Sequence, residues 1–112
     1  MPKTIKITEQ QFRRIFGDTI EVQNASHSAD ADGIMIQYWE EKMGITLEGK
    51  NYRCPKCGKE FSRKKLDGAH VVFPGGGEAT QYITPLCQGC NRGQGDEIFK
   101  VDIGDIVIAP NQ

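Results

Sequence analysis

The chain has almost no net charge. Its 14 Lys and Arg stand against 15 Asp and Glu, a formal charge of −1 at pH 7. A domain that grips nucleic acid by bulk electrostatics is usually strongly basic, so that class is disfavoured, although a local basic face is not. Also missing is any apolar run near the roughly 18 residues that a membrane span needs. The opening Met1-Pro-Lys-Thr-Ile-Lys6 does not read as an export signal. Reduced cysteines and a cytoplasmic location are therefore expected. There is no low-complexity segment, and the paired cysteines are the only repeat. A length of 112 residues allows one domain, or one domain with an appendage. Its core would be modest, and a bound metal would strengthen it.

What the chain does have is four cysteines in two pairs, Cys54-Pro-Lys-Cys57-Gly58 and Cys87-Gln-Gly-Cys90-Asn91. Two thiols three positions apart can wrap one side of a metal ion. The turn between them offers backbone N–H groups to the thiolates, and glycine permits the left-handed backbone such a turn needs. Two such pairs supply the four sulfurs of a closed tetrahedral site, so one structural Zn2+ held by Cys54, Cys57, Cys87 and Cys90 is expected. A pair of disulfides is the competing arrangement. It suits this spacing less well than a metal or a redox dithiol does. A closed site of four thiolates has no open position for a substrate, so the metal accounts for fold rather than activity.

Along the rest of the chain, Thr4–Ile7 alternates as a short strand would. Thr8 and Gln11 form a capping box for a helix whose Phe12, Ile15 and Phe16 share one face, ended by Gly17. Asp18–Gln23 alternates again, with Ile20 and Val22 on one side, and predicts a strand. Residues 24–33 read as a polar loop. His27, Asp30 and Asp32 within it can be read as metal ligands, but aspartates before a helix more simply cap it. The spacing of Ile36, Trp39 and Met43 predicts a helix over Ile34–Met43, stopped by Gly44. Tyr38 and Trp39 can serve as a stacking platform for bases. A lone tryptophan on an apolar helix face more often belongs to the core.

From Lys50 to Lys65 the chain turns basic, with only Glu60 opposing seven cations. Arg53, Lys56, Lys59, Arg63, Lys64 and Lys65 surround the first cysteine pair. They read either as a solvated knuckle or as a patch facing phosphates. Acidic residues before and after this run cancel it in the total. Ala69–Phe73 reads as a strand, with His70 and Val72 on one face and Val71 and Phe73 on the other. Pro74-Gly-Gly-Gly77 closes a hairpin rather than cradling a phosphate, because a strand-like Gln81-Tyr-Ile-Thr84 follows where a cradle would need a helix. Gly93 and Gly95 would keep any helix after Cys90 short, and Val101–Ala109 reads as two strand pieces bent at Gly104.

The stretch Cys54–Asn91, about a third of the chain, resembles the HNH endonuclease superfamily. The likeness rests on the first cysteine pair, Ala69-His70-Val71, Gly75–Gly77, and Tyr82-Ile-Thr-Pro-Leu-Cys87-Gln-Gly-Cys90-Asn91. It implies an α+β fold with a small treble-clef, HNH-like zinc-finger core, in which four cysteines hold zinc beneath a hairpin and a helix. Residues 50–112 would form that module together with C-terminal strands, and residues 1–49 a helix-containing extension packed on it. By the same resemblance His70 stands where the family keeps its general base, and Asn91 where it often keeps a metal ligand. Two roles are not filled: Ala69 replaces the main metal-binding residue, and Tyr82 the asparagine that orients the base. Asp67, two positions before Ala69, is a possible substitute ligand.

Three functions follow as expectations. The first is an HNH-like module with degraded catalysis, acting by binding DNA, RNA or a protein partner. The second is an active nuclease that uses His70 and a second divalent metal. The third is an iron electron-transfer protein, because two Cys-x-x-Cys pairs separated by 29 residues are similar to those of rubredoxin. Asn91 in place of the second knuckle glycine, and the basic rather than acidic stretch between the pairs, count against the third.

Overall fold

The computed structural model describes residues 18–25, 30, 33–93 and 97–110. The expected strand at 4–7, the expected helix over 8–17, and both His27 and Asp32 lie outside them.

Five strands form one antiparallel sheet. They are β1 (Thr19–Asn24), β4 (Leu66–Val72), β5 (Tyr82–Cys87), β6 (Phe99–Asp102) and β7 (Val107–Ile108), in the order β6-β1-β4-β5-β7. A separate hairpin pairs β2 (Asn51–Arg53) with β3 (Glu60–Ser62). Among the described residues two helices, α1 (Ile34–Met43) and α2 (Gln88–Arg92), join these strands in an α+β fold. Single 3₁₀ turns cover Arg63–Lys65 and Ile103–Asp105. No helix among the described residues is long and apolar enough to cross a membrane. The residue 49 boundary drawn from sequence falls between α1 and β2. On its N-terminal side, β1 is an inner strand of the sheet and α1 covers one sheet face.

The sheet separates two apolar layers. On one face α1 sets Ile36 and Trp39 against Leu66, Ile83 and Ala109. On the other, Val22, Ala69, Val71, Leu86, Phe99 and Val101 close around Cys54 and Cys87. Strand alternation makes this division: in β4, residues 67, 69 and 71 look one way, and 66, 68 and 70 the other. Trp39 is core, as its helical spacing predicts. It is 1% exposed, donates its indole N–H to the Asp105 carbonyl at 2.8 Å, and meets the Tyr52 ring edge-on.

Helix α1 is seated tightly. A Cβ on Gly68 would lie 2.4 Å from the Met35 carbonyl carbon and 2.5 Å from the Ile36 nitrogen, so only glycine lets helix and strand approach this closely. Asp30 fixes the same junction. Its carboxylate accepts from the backbone N–H of Met35 (2.9 Å), Ile36 (2.9 Å) and Gly68 (2.8 Å), so one buried acid caps α1 and ties it to β4. At the far end of α1, Glu40 takes a two-pronged contact from Arg63 at 2.8 and 2.9 Å and a backbone N–H from Leu47 at 2.7 Å.

Candidate metal centre

The β2–β3 hairpin presents the first cysteine pair. Gly58 N–H donates to the Cys54 carbonyl and Cys54 N–H to the Lys59 carbonyl, both at 2.8 Å. Gly58 closes the turn at φ +80°, the left-handed backbone anticipated after the second cysteine of a knuckle. The second pair sits where β5 passes into α2. Cys87 caps that helix, its Sγ accepting from Cys90 N–H at 3.4 Å. The helix is five residues long and Gly93 follows it.

All four Sγ atoms lie within 4.8 Å of one another, and Cys57 Sγ to Cys87 Sγ is 4.0 Å. Four thiolates about 2.3 Å from a tetrahedral ion stand about 3.8 Å apart, so the cluster fits one metal ion with little adjustment. It is the only grouping of three or more His, Cys, Asp or Glu ligands among the described residues. Cys54 and Cys87 are buried, Cys90 is half-buried and Cys57 reaches solvent. Burial pushes the thiols of Cys87 and Cys90 up, helped in Cys90 by the neighbouring sulfurs, whereas the backbone at Lys59 draws Cys57 down. Four sulfurs this close need a cation before all can ionise together, which is the condition under which thiols bind metal and release protons.

Behind the cluster runs a buried polar chain. Asp67, 0% exposed, receives both prongs of the Arg92 guanidinium at 3.0 Å each and the Asn91 side-chain N–H at 2.8 Å. Asn91 Oδ1 in turn accepts from Asn24 Nδ2 at 2.8 Å. Lys56, between the cysteines of the first pair, donates to Asn24 Oδ1 at 3.4 Å and lies over the Phe99 ring. Asp67 raises the Arg92 pKa above its ordinary value.

The residues singled out from sequence are distributed as follows. The four cysteines come together. Asn91 lies beside them, 1% exposed, with its amide spanning Asn24 and Asp67. His70 lies on the opposite face of β4: Gly68, two positions earlier, looks directly onto α1, and His70 pairs across the sheet with Ile83 of the α1 layer. It is half-buried, and that burial lowers its pKa against the opposing pull of Asp30. Asp67 does share a face with Ala69, but its carboxylate is held by Arg92 and Asn91. Among the basic residues, Lys59, Lys64 and Lys65 are exposed. Arg53 is exposed as well, with one N–H on the Gly58 carbonyl. Lys56 turns inward, and Arg63 is taken by Glu40.

Sequence reasoning missed Asn24 and Arg92. The only local signal was their type, an asparagine opening the expected polar loop, which the structure instead makes the last residue of β1, and an arginine just past the last cysteine. No family model matches the chain, and no curated protein or solved structure matches it.

Proposed function

We propose that this chain is a zinc-stabilised module of treble-clef, HNH-like type that works by binding rather than by hydrolysis, with the phosphate backbone of a nucleic acid as its partner. The observation that carries the zinc reading is the four-sulfur cluster, contributed half by a hairpin knuckle and half by a helix start. The order knuckle, β4–β5 hairpin, α2 supports the treble-clef assignment. The chemistry of the donor set supports zinc: four soft thiolates in a closed shell satisfy its tetrahedral preference. Such an ion contributes folding energy and leaves no position for substrate.

The binding reading draws on the exposed cations Arg53, Lys59, Lys64 and Lys65, which flank the knuckle on β2–β3 and the 3₁₀ turn after it. Phosphate contacts of this kind position a partner without reading its sequence. Against hydrolysis stand the loss of a ligand atom at Ala69 and the separation of His70 from Asn91 and Asp67 by the thickness of the sheet. A phosphodiesterase needs base and metal on the same phosphate.

The test incubates zinc-loaded protein with supercoiled plasmid in Mg2+, Mn2+ or Ni2+, with His70→Ala alongside. A mobility shift that weakens with salt and in the Lys59→Ala/Lys64→Ala/Lys65→Ala variant, with the plasmid left intact, is the expected result. Metal-dependent nicking abolished by His70→Ala would make the protein a nuclease, and the absence of any shift would remove nucleic acid as the partner.

A further inference from the structure

The buried polar chain behind the cysteines has a direction. At one end stands the ammonium of Lys56, which can only donate, and at the other the carboxylate of Asp67, which can only accept when ionised. The two amides between them must then align head to tail. Lys56 donates to Asn24 Oδ1 (3.4 Å), Asn24 Nδ2 to Asn91 Oδ1 (2.8 Å), and Asn91 Nδ2 to Asp67 (2.8 Å). Lys56 belongs to the first knuckle and Asn91 directly follows the last cysteine of the second. Asn24 comes from neither. It ends β1, paired in register with Val71 of β4, and is 8% exposed.

From this we infer that Asn24 is a positioning residue for the metal centre. Its amide joins the two half-sites, holding Lys56 with one atom and Asn91 with the other, so that both cysteine pairs are set at one separation before the ion arrives. The inference rests on the zinc reading above. It adds that metal affinity depends on a side chain 30 positions before the first ligand, one whose amide bonds Asn91 and Lys56 rather than supplying a ligand atom. Groups that orient metal ligands without touching the ion typically change affinity by about 10- to 100-fold when removed.

The experiment measures zinc affinity of the full chain by competition with a chromophoric chelator. It compares wild type, Asn24→Ala, the equal-sized Asn24→Asp, and Glu40→Gln as a control on the other side of the sheet. Asn24→Asp cannot donate to Asn91 Oδ1, so shape is kept and direction is lost. Both Asn24 variants are expected to bind zinc about 10- to 100-fold more weakly, with Co2+ spectra still those of four thiolates and far-UV CD unchanged, while Glu40→Gln binds as wild type. Asn24 variants within twofold of wild type, or an equal loss in Glu40→Gln, would overturn the inference. Should the Asn24 variants not fold, Lys56→Met decides it: that change keeps the stem over Phe99 and removes the donor, and an affinity equal to wild type would overturn the inference. A wild type that takes up no zinc would sink the metal reading itself, which the comparison among variants keeps distinct.

Discussion

Arg92 places both prongs of its guanidinium on the carboxylate of Asp67, at 3.0 Å each, although Asp67 is wholly buried and Arg92 is partly exposed. The arginine reaches in from the start of the solvent, and the acid is desolvated by the sheet around it. A buried carboxylate is tolerated only when paired and hydrogen-bonded. Here the pairing comes from the residue two positions after the last cysteine, so the helix that begins at the second cysteine pair also neutralises the buried acid of the sheet.

Replacing Asp67 by Ala removes the charged acceptor shared by the buried Asn91 side-chain N–H and the Arg92 guanidinium. The expected loss is about 2–3 kcal/mol, the cost of a buried donor left without its charged acceptor. Urea denaturation of the zinc-loaded protein measures it, and a loss under about 0.5 kcal/mol, the range of an ordinary surface change, would contradict the role assigned to this acid.

Gly68→Ala should be costly for a purely steric reason. The new methyl would sit 2.4–2.7 Å from backbone atoms of Met35 and Ile36, which no side-chain rotation relieves. Overpacking of this kind costs about 3 kcal/mol, and a lowered melting temperature with α1 still helical is the expected readout.

Acid should weaken the α1 end of the fold through Glu40. Arg63 foremost, with the Leu47 N–H and Thr46, holds its carboxyl below the ordinary value of 4.5 against the opposing effect of burial. A depressed carboxyl stabilises the fold above its unfolded value, and that contribution disappears as pH falls through the folded one. Glu40→Gln should therefore cost about 2 kcal/mol at pH 7 and progressively less below pH 4.5, so stability–pH curves of wild type and variant converge in acid. Parallel curves would exclude the pairing as their cause.

Metal binding should release protons. The thiols of Cys87 and Cys90 are raised above their ordinary value, so without metal they are protonated at neutral pH and must lose those protons to bind. At least two protons should appear per ion in a weakly buffered titration, and zinc affinity should fall by about 100-fold or more for each unit of pH lowered near neutrality. A pH-independent affinity would argue against thiolate ligands.

Much of this architecture could be read locally. Helix α1 matches its predicted bounds because glycines bracket it and its apolar residues keep one face. The cysteine pairs and the β4–β5 hairpin were legible from spacing and turn chemistry. Strands β2 and β3 were not: each is three residues long, with only its middle residue half-buried, so no alternation marks them. The extension of β4 back to Leu66 was hidden because Asp67-Gly68 has the composition of a turn. Tertiary contact reverses that preference, since Gly68 is there for α1 and Asp67 for Arg92. The polar chain from Lys56 to Asp67 joins four segments distant in sequence, and no local pattern carries that information.

The proposed binding module depends on one zinc ion held by the four cysteines. Elemental analysis of the purified protein, followed by replacement of its metal with Co2+, tests it most directly. Colourless protein with one zinc per chain is expected, and a cobalt derivative whose spectrum is that of tetrahedral coordination by four thiolates. Removing Cys57 or Cys90 should abolish that spectrum. Red protein containing iron, or metal-free protein with its cysteines in stable disulfides, would contradict it.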